Sequence, residues 1–475
     1  MTYSRLRITE VIFIVVISLF AFIGCKLPVM SEEPAMRVLP GAWEGVSDTA
    51  APPRTLFRHD LMLAALIDTV LAGNPDLKIA TERIRIAGAV AAQARGALLP
   101  QVNAGVTPSL RKFGLYTMDG AGNIVTEMEK GRMIPIDLPD LMLGMQASWE
   151  ADLWGKLKDK KAAARARFMA SESARQLLRT TLVAEAASAY YELVAADQEL
   201  RMLDQTIALQ EEALQLVRVQ KEASVVNELA VQQFEAQLMD QQGLRIQVRQ
   251  LIIDTEARIN ALAGRFNTPI PRDTSFFSPV ALTAIQPGIP AGMLVNRPDI
   301  RQAEFQLMAA RADLQAARKA FLPSLMITGS MALQAYRPGA LLFFPESIAY
   351  SLIGGLAGPV INRNQIAGEF SKADAIQREA IFNYQAILSG AYLEVQRELR
   401  RLDNLQTIFE LKRKESLILL GAVDVSRALF RYGRADYLEV LLARQNALRV
   451  NVELIEARRM QFQTAIRLYR ALGGD

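Results

Sequence analysis

From Lys156 to about Gln220 the chain runs without a proline or a glycine. At 1.5 Å per residue that is roughly 100 Å of uninterrupted helix, far more than a compact globule uses. Along it, apolar positions recur in alternating steps of four and three. They pass through Leu182, Ala186, Ala189, Leu193, Ala196, Leu200, Leu203, Ile207, Gln210, Leu214 and Val217, all apolar except Gln210. This is the seam of a coiled coil. Leu388, Tyr392, Val395, Leu399, Leu402, Gln406 and Phe409 repeat the pattern, and Leu448, Ile455, Phe462 and Tyr469 continue it at sevens. Aromatic residues make up only 7%, and Ala, Leu, Gln, Glu and Arg dominate, as extended helices require.

The pattern occurs twice because the chain itself does. Shifted by 223 positions, Pro75, Asp76, Ala80, Ala87, Ala89, Ala94, Arg95, Leu99 and Pro100 meet identical residues between Pro298 and Pro323. Ala189-Tyr190-Tyr191-Glu192-Leu193 is echoed by Ala391-Tyr392-Leu393-Glu394-Val395. A period near 200 residues is too long for a solenoid and indicates a duplicated domain. The expected division is a signal peptide at 1–24, an extended segment at 25–58, and a first repeat at 59–266. A Pro- and Thr-rich linker at 267–290 and a second repeat at 291–475 follow. Each repeat is expected to run short helix, strand pair, long helix, helix.

Ahead of each long helix the period drops to two. Leu141, Leu143, Met145, Ala147, Trp149, Ala151 and Leu153 alternate with Met142, Gly144, Gln146, Ser148, Glu150 and Asp152. Leu325, Ile327, Met331, Leu333 and Ala335 alternate with Ser324, Thr328, Ser330 and Gln334. Val102, Ala104 and Val106 mark a weaker first strand, and Ile348, Tyr350, Leu352 and Leu356 a fourth. Strands of about ten residues, apolar on one face and polar on the other, suit a membrane barrel with a wet lumen. Periodicity alone also admits a soluble sheet packed on helices. Four strands cannot close a barrel, and an open edge is not tolerated in lipid. Copies must therefore pool strands: two give eight, which side chains would fill, and three give twelve, which leave a lumen.

Several kinds of chemistry are excluded. The single His59 and single Cys25 cannot supply a zinc site, and one cysteine makes no disulfide. A net charge of +4 leaves no nucleic-acid footprint. No phosphate loop or nucleophile elbow is present; Gly354-Gly355-Leu356-Ala357-Gly358 only approaches a dinucleotide fingerprint and reads as a flexible strand end before Pro359. Glu150 and Asp152 read as lumen carboxylates rather than an acid–base pair. Lys156, Lys158, Lys160, Lys161, Arg165 and Arg167 read as a solvated helix start, with contact to anionic headgroups as the alternative. No enzyme, cofactor or metal is expected. At the N-terminus, Arg5 and Arg7 precede an apolar run from Val11 to Ile23, too short to span as a permanent helix but suited to a signal peptide. Gly24-Cys25 resembles a bacterial lipobox with Cys25 acylated, and Lys26 resembles the signal for the outer membrane.

Three stretches carry a wider resemblance: Ser148-Trp149-Glu150-Ala151-Asp152-Leu153-Trp154-Gly155-Lys156, Asn296-Arg297-Pro298-Asp299-Ile300-Arg301-Gln302-Ala303-Glu304, and Phe321-Leu322-Pro323-Ser324. Trp43, Asp60 and Leu61 add to it. The chain resembles the TolC family of outer-membrane efflux ducts, in the lipoprotein branch serving resistance-nodulation-division pumps. The resemblance implies a mainly α homotrimer with a periplasmic α-helical barrel and a twelve-stranded transmembrane β-barrel, four strands per chain. It also implies docking to a periplasmic adaptor (membrane fusion) protein and an inner-membrane pump, with small molecules as cargo. A sibling duct for secreted polypeptides shares the fold; a coiled-coil lipoprotein scaffold is the remaining alternative.

The helix reversals are legible directly. With an offset of 209, Glu222-Ala223-Ser224-Val225-Val226-Asn227-Glu228 aligns with Arg431-Tyr432-Gly433-Arg434-Ala435-Asp436-Tyr437. Gly433 supplies a helix stop and Asp436 an N-cap. The family resemblance adds roles: Asp436, with Arg431, Tyr432 and Arg434, would narrow the periplasmic aperture. Ala223, Ser224, Val225, Asn227, Gly433 and Ala435 would form the turns that meet the adaptor.

Overall fold

The computed structural model describes residues 27–35, 60–273, 294, 296–358 and 363–474. Cys25, Trp43 and the signal segment lie outside them. In the first repeat, α1 (Leu61–Gly73) and α2 (Pro75–Gly96) lead to β1 (Gln101–Lys112). A small excursion follows: α3 (Met118–Val125), β2 (Glu127–Glu129) and β3 (Arg132–Met133). The chain then enters β4 (Asp137–Ala151), α4 (Lys156–Glu222) and α5 (Glu228–Leu262). The second repeat is α6 (Pro298–Lys319), β5 (Ser324–Ala335), β6 (Ile348–Ala357), α7 (Arg363–Arg431) and α8 (Tyr437–Ala471). Among the described residues no helix is long and apolar enough to cross a membrane.

Two compact units cut across the repeats. One holds Ile86–Phe168 and Phe305–Ile381 with residues 27–34, and so contains every strand among the described residues. The other holds Met169–Glu304 and Phe382–Asp475 with the segment before Ile86. Neither unit is made by one repeat alone.

The first seam buries as its heptads dictate. Ten of its eleven positions are at most 5% exposed, and Leu200 is half-buried against the same cluster. Gln210, the polar member, is satisfied by donating to the Phe234 carbonyl at 3.4 Å. The second seam departs from expectation. Tyr392, Val395 and Leu399 are buried, but Gln406 is exposed and Leu405 is buried in its place. The reason lies on α8, where the buried Gln461 amide donates to the Leu405 carbonyl at 3.1 Å and to the Gln406 side chain at 3.5 Å. The last helix buries Ile455, Phe462 and Tyr469, and Phe462 stacks on Tyr191 of the first repeat at 4.2 Å. Such a pair contributes about 0.5–1.5 kcal/mol beyond its area.

Helix ends are fastened by a device used twice. Asn74, just before α2, donates to the Leu262 carbonyl at the end of α5 (2.8 Å) and accepts from the Leu77 amide (3.1 Å). Its counterpart Arg297, just before α6, donates to the Ala471 carbonyl at the end of α8. Arg297 also binds Asp299 at 2.8 Å and Glu394 at 3.1 Å. The first crossing is so close that a Cβ on Gly264 would lie 2.6 Å from the Gly73 carbonyl oxygen, and Gly264 has φ +64°. Only glycine fits there.

Candidate functional site

Four strands form one antiparallel sheet in the order β1-β4-β5-β6. Their register places the two alternating patterns on opposite faces. Ala104, Met145, Met331 and Tyr350 form one continuous row, and Val106, Leu143, Leu333 and Ile348 another on the same face. One residue out of phase, on the opposite face and beside the first row, lie Asn103, Gln146, Ser330 and Ser351. The apolar face is bare: Val106, Met145, Met331 and Tyr350 are all more than half exposed. On the polar face Ser330 and Ser351 share a hydrogen bond of 2.7 Å, and the Gln334 amide donates to Asp140 at 2.9 Å. Gly144 sits on that face too; a Cβ there would come 2.3 Å from the Cβ of Ala332. Among the described residues, the outer edges of β1 and β6 pair with no strand.

The strands are longer at the start and shorter at the end than alternation suggests. β4 begins at Asp137 and stops at Ala151, so Leu153 is not a strand residue. The cause is Asp152, whose carboxylate accepts from the Leu157 and Lys158 amides at 3.0 and 2.9 Å and caps α4. Glu150 pairs with Lys156. Capping and pairing give both carboxylates structural work. Gly354 and Gly355 are paired opposite Ile327 and Met326 within the last four residues of β6, with Gly358 just beyond its end. Trp149 donates to the Leu98 carbonyl at 3.0 Å, and Trp154, nearly half exposed, to the Pro323 carbonyl at 2.7 Å. Of the basic run, Arg167 binds Asp313, while Lys158, Lys160, Lys161 and Arg165 are exposed.

The two helix reversals have the same backbone. The Val225 amide bonds the Gln220 carbonyl at 2.9 Å, and at the equivalent place the Arg434 amide bonds the Leu429 carbonyl at 2.8 Å. Ser224 takes φ +55° where Gly433 takes +70°. Asn227 caps α5 by accepting from the Ala230 amide at 3.1 Å, and Asp436 caps α8 by accepting from the Tyr437 amide at 2.6 Å. Ala223, Ser224, Val225, Asn227, Arg431, Tyr432, Gly433, Arg434 and Asp436 are exposed, and Ala435 is half-buried. Asp436 makes no ion pair with Arg431 or Arg434 among the described residues.

Two features are not marked by the sequence pattern. Residues 27–35 form a polar strap along α6 and α7. Met30 sits at Gln315 and Arg318, the Ser31 hydroxyl donates to Asp374 at 2.5 Å, and Glu33 binds Arg311 and Gln377 at 2.8 Å. The strap therefore runs away from β5 as it leaves the N-terminus. The second feature is a cavity of about 340 Å³ lined by Glu192, Glu199, Glu456 and Arg459 over an apolar floor that includes Ala196 and Ile455. Burial, and then the neighbouring Glu456, hold the Glu199 carboxyl above its ordinary range, against the opposing pull of Arg459.

Comparison with known proteins adds homology to this geometry. Residues 66–265 and 290–474 match the family described as "Outer membrane efflux protein". The pyoverdine export outer membrane protein OpmQ of Pseudomonas putida is 27% identical over 87% of this chain and 86% of its own. The cation efflux system protein CusC of Escherichia coli is 25% identical over 96% of this chain and 97% of its own. A crystal structure of CusC superposes with a TM-score of 0.82 at 24% identity, covering 95% of this chain and all of that one. With each repeat matched in turn, the chain belongs to the outer membrane efflux protein family and serves as the outer-membrane channel of a tripartite efflux system.

Proposed function

We propose that three copies of the chain pool their sheets into a closed twelve-stranded barrel, with the apolar rows facing lipid and the polar rows facing a lumen. The observation that carries this reading is a two-faced sheet with both edges open, which lipid would not tolerate in a single copy. Three copies also bring the long helices together as a periplasmic duct, its turns docking a periplasmic adaptor and the adaptor an inner-membrane pump. Cargo is a small molecule. The relatives' names refer to cargo of different chemistry, pyoverdine and cations, which supports selection by the pump rather than by the duct. Cys25 carries the lipid anchor; the strap's course away from β5 supports this by leaving its N-terminal end toward the strands.

Three Asp436 carboxylates around a threefold axis would make the aperture cation-selective. Mutual repulsion would work against closure unless cations or the arginines of the same turn screen it. Native mass measurement in detergent and conductance in planar bilayers test the whole reading: a trimer that conducts is expected, and a non-conducting monomer would refute it. Asp436→Asn, which keeps a capping side chain, should lower cation selectivity while trimer yield is unchanged. Unchanged selectivity would leave Asp436 as a helix cap only.

A further inference from the structure

The strap at residues 27–35 ties together the two helices that frame the second strand pair. α6 feeds β5, and β6 feeds α7. Glu33 bridges them, binding Arg311 on α6 and Gln377 on α7, each at 2.8 Å. The Ser31 hydroxyl and amide donate to Asp374 on α7 at 2.5 and 3.2 Å. The remaining contact to α6 is poorer. There the Gln315 amide approaches the Met30 sulfur at 3.4 Å, and an Arg318 guanidinium nitrogen approaches it at 3.6 Å. A thioether is a weak acceptor.

This corner holds donors in excess. Arg318 makes no ion pair among the described residues, and its Nε is buried without an acceptor. A guanidinium and an amide therefore converge on an atom that satisfies neither well. Donors left unmet away from water cost free energy that a better acceptor recovers. One oxygen added to the sulfur is such an acceptor, because a sulfoxide carries a polar S–O bond. Its hydrogen bond to a guanidinium is charge-assisted. With the two nitrogens 3.4 and 3.6 Å from sulfur, an oxygen bonded to that sulfur comes within hydrogen-bonding reach of both. Met30 is half-buried between the exposed Val29 and Ser31, so a small oxidant reaches it.

We infer that Met30 is a site of reversible sulfoxidation that tightens the strap on α6. The oxidant is a peroxide. The sulfur lone pair takes one oxygen of hydrogen peroxide, the O–O bond breaks and the S–O bond forms. Sulfur loses two electrons, the peroxide gains them, and water leaves. Methionine sulfoxide reductases undo the step. Oxidation of a methionine ordinarily loosens a structure, since it places a polar group among apolar ones. Here the surroundings are donors, and the sign reverses. Met118 is far more open, at 91% exposed, but no side-chain donor among the described residues reaches its sulfur, so oxidation there has no such consequence.

Hydrogen–deuterium exchange of the full-length protein in detergent micelles, read on the peptide that spans the strap, tests this. The unaltered chain is compared before and after hydrogen peroxide, and peptide mass mapping locates the added oxygen. Oxidised Met118 reports that the treatment is complete. The oxidised strap should exchange about tenfold more slowly, the effect of one hydrogen bond gained. Met30→Gln, which offers a carbonyl acceptor at the same place, should exchange slowly without peroxide, and Met30→Leu should not respond to it. Unmodified Met30 beside oxidised Met118 overturns the site. Equal or faster strap exchange after oxidation of Met30 overturns the latch, and so does an equal slowing in Met30→Leu, which would assign the effect to another methionine. The comparison on the unaltered chain needs no variant, so a substitution that disturbs folding leaves the test decisive.

Discussion

The two repeats reach the same backbone by different chemistry, and their helix reversals show it best. Gly433 adopts its left-handed conformation without steric cost, whereas Ser224 holds nearly the same φ with a Cβ present. The helix-end fasteners differ in the same way. Asn74 uses two neutral hydrogen bonds, while Arg297 places a buried cation between two carboxylates and a carbonyl. What duplication kept is geometry; the residues that enforce it have diverged. The second repeat concentrates charge and glycine where the first uses amides and serine.

Substitutions at matched positions break or sharpen that contrast. The largest effect is expected at the fasteners. Arg297→Ala leaves Asp299 and Glu394 without their shared buried cation and should cost about 3–5 kcal/mol, against roughly 1–3 kcal/mol for Asn74→Ala. Denaturant midpoints of the two variants measure the gap, and equal losses would erase the distinction. Next come Met145→Arg and Met331→Arg, one from each repeat and directly opposite in register. Each should cost about 2–4 kcal/mol near the bilayer midplane, while Gln146→Arg and Ser330→Arg should alter conductance more than assembly. Unequal damage from the two methionines would show that β4 and β5 do not keep this register in the membrane.

The turns should respond in opposite directions. Gly433→Ala should destabilise by about 1–2 kcal/mol, and Ser224→Gly should stabilise by up to about 1 kcal/mol; thermal midpoints of the assembled protein read both. The smallest effect belongs to Glu199. Its folded-state pKa is raised, so its protonated form favours the fold. That contribution is complete below the ordinary carboxylate range and is lost as pH rises through the raised value. Glu199→Gln should therefore raise the thermal midpoint at neutral pH and leave it nearly unchanged in acid.

The long seam and the strand faces were legible because burial there follows a strict period over many residues. Leu203 or Met145 needs no distant information to be placed on its face. The second reversal was legible from Gly433 and Asp436, since stop and cap are local chemistry, and the first by its alignment with it. Arg297 was not legible as a buried fastener: charged residues usually lie at the surface, and its partner Glu394 is 97 residues away. The second seam slipped by one position for the same kind of reason, a long-range hydrogen bond from Gln461. Ser224 gave no sign of its left-handed backbone, because serine rarely adopts it. The residues between β1 and β4 lack a long period and hid α3 and its small hairpin.

The pairing of β4 with β5 has a consequence for how the protein is made. These neighbours come from different repeats, and β4 ends at Ala151 while β5 begins only at Ser324. At ordinary synthesis rates of about 5–20 residues per second, roughly 10–35 s separate their emergence. Throughout that interval the first hairpin carries an apolar face and an unpaired edge, the combination most prone to wrong partners. The sheet is therefore finished late: the second pair of strands must be delivered before the first pair gains its native neighbour.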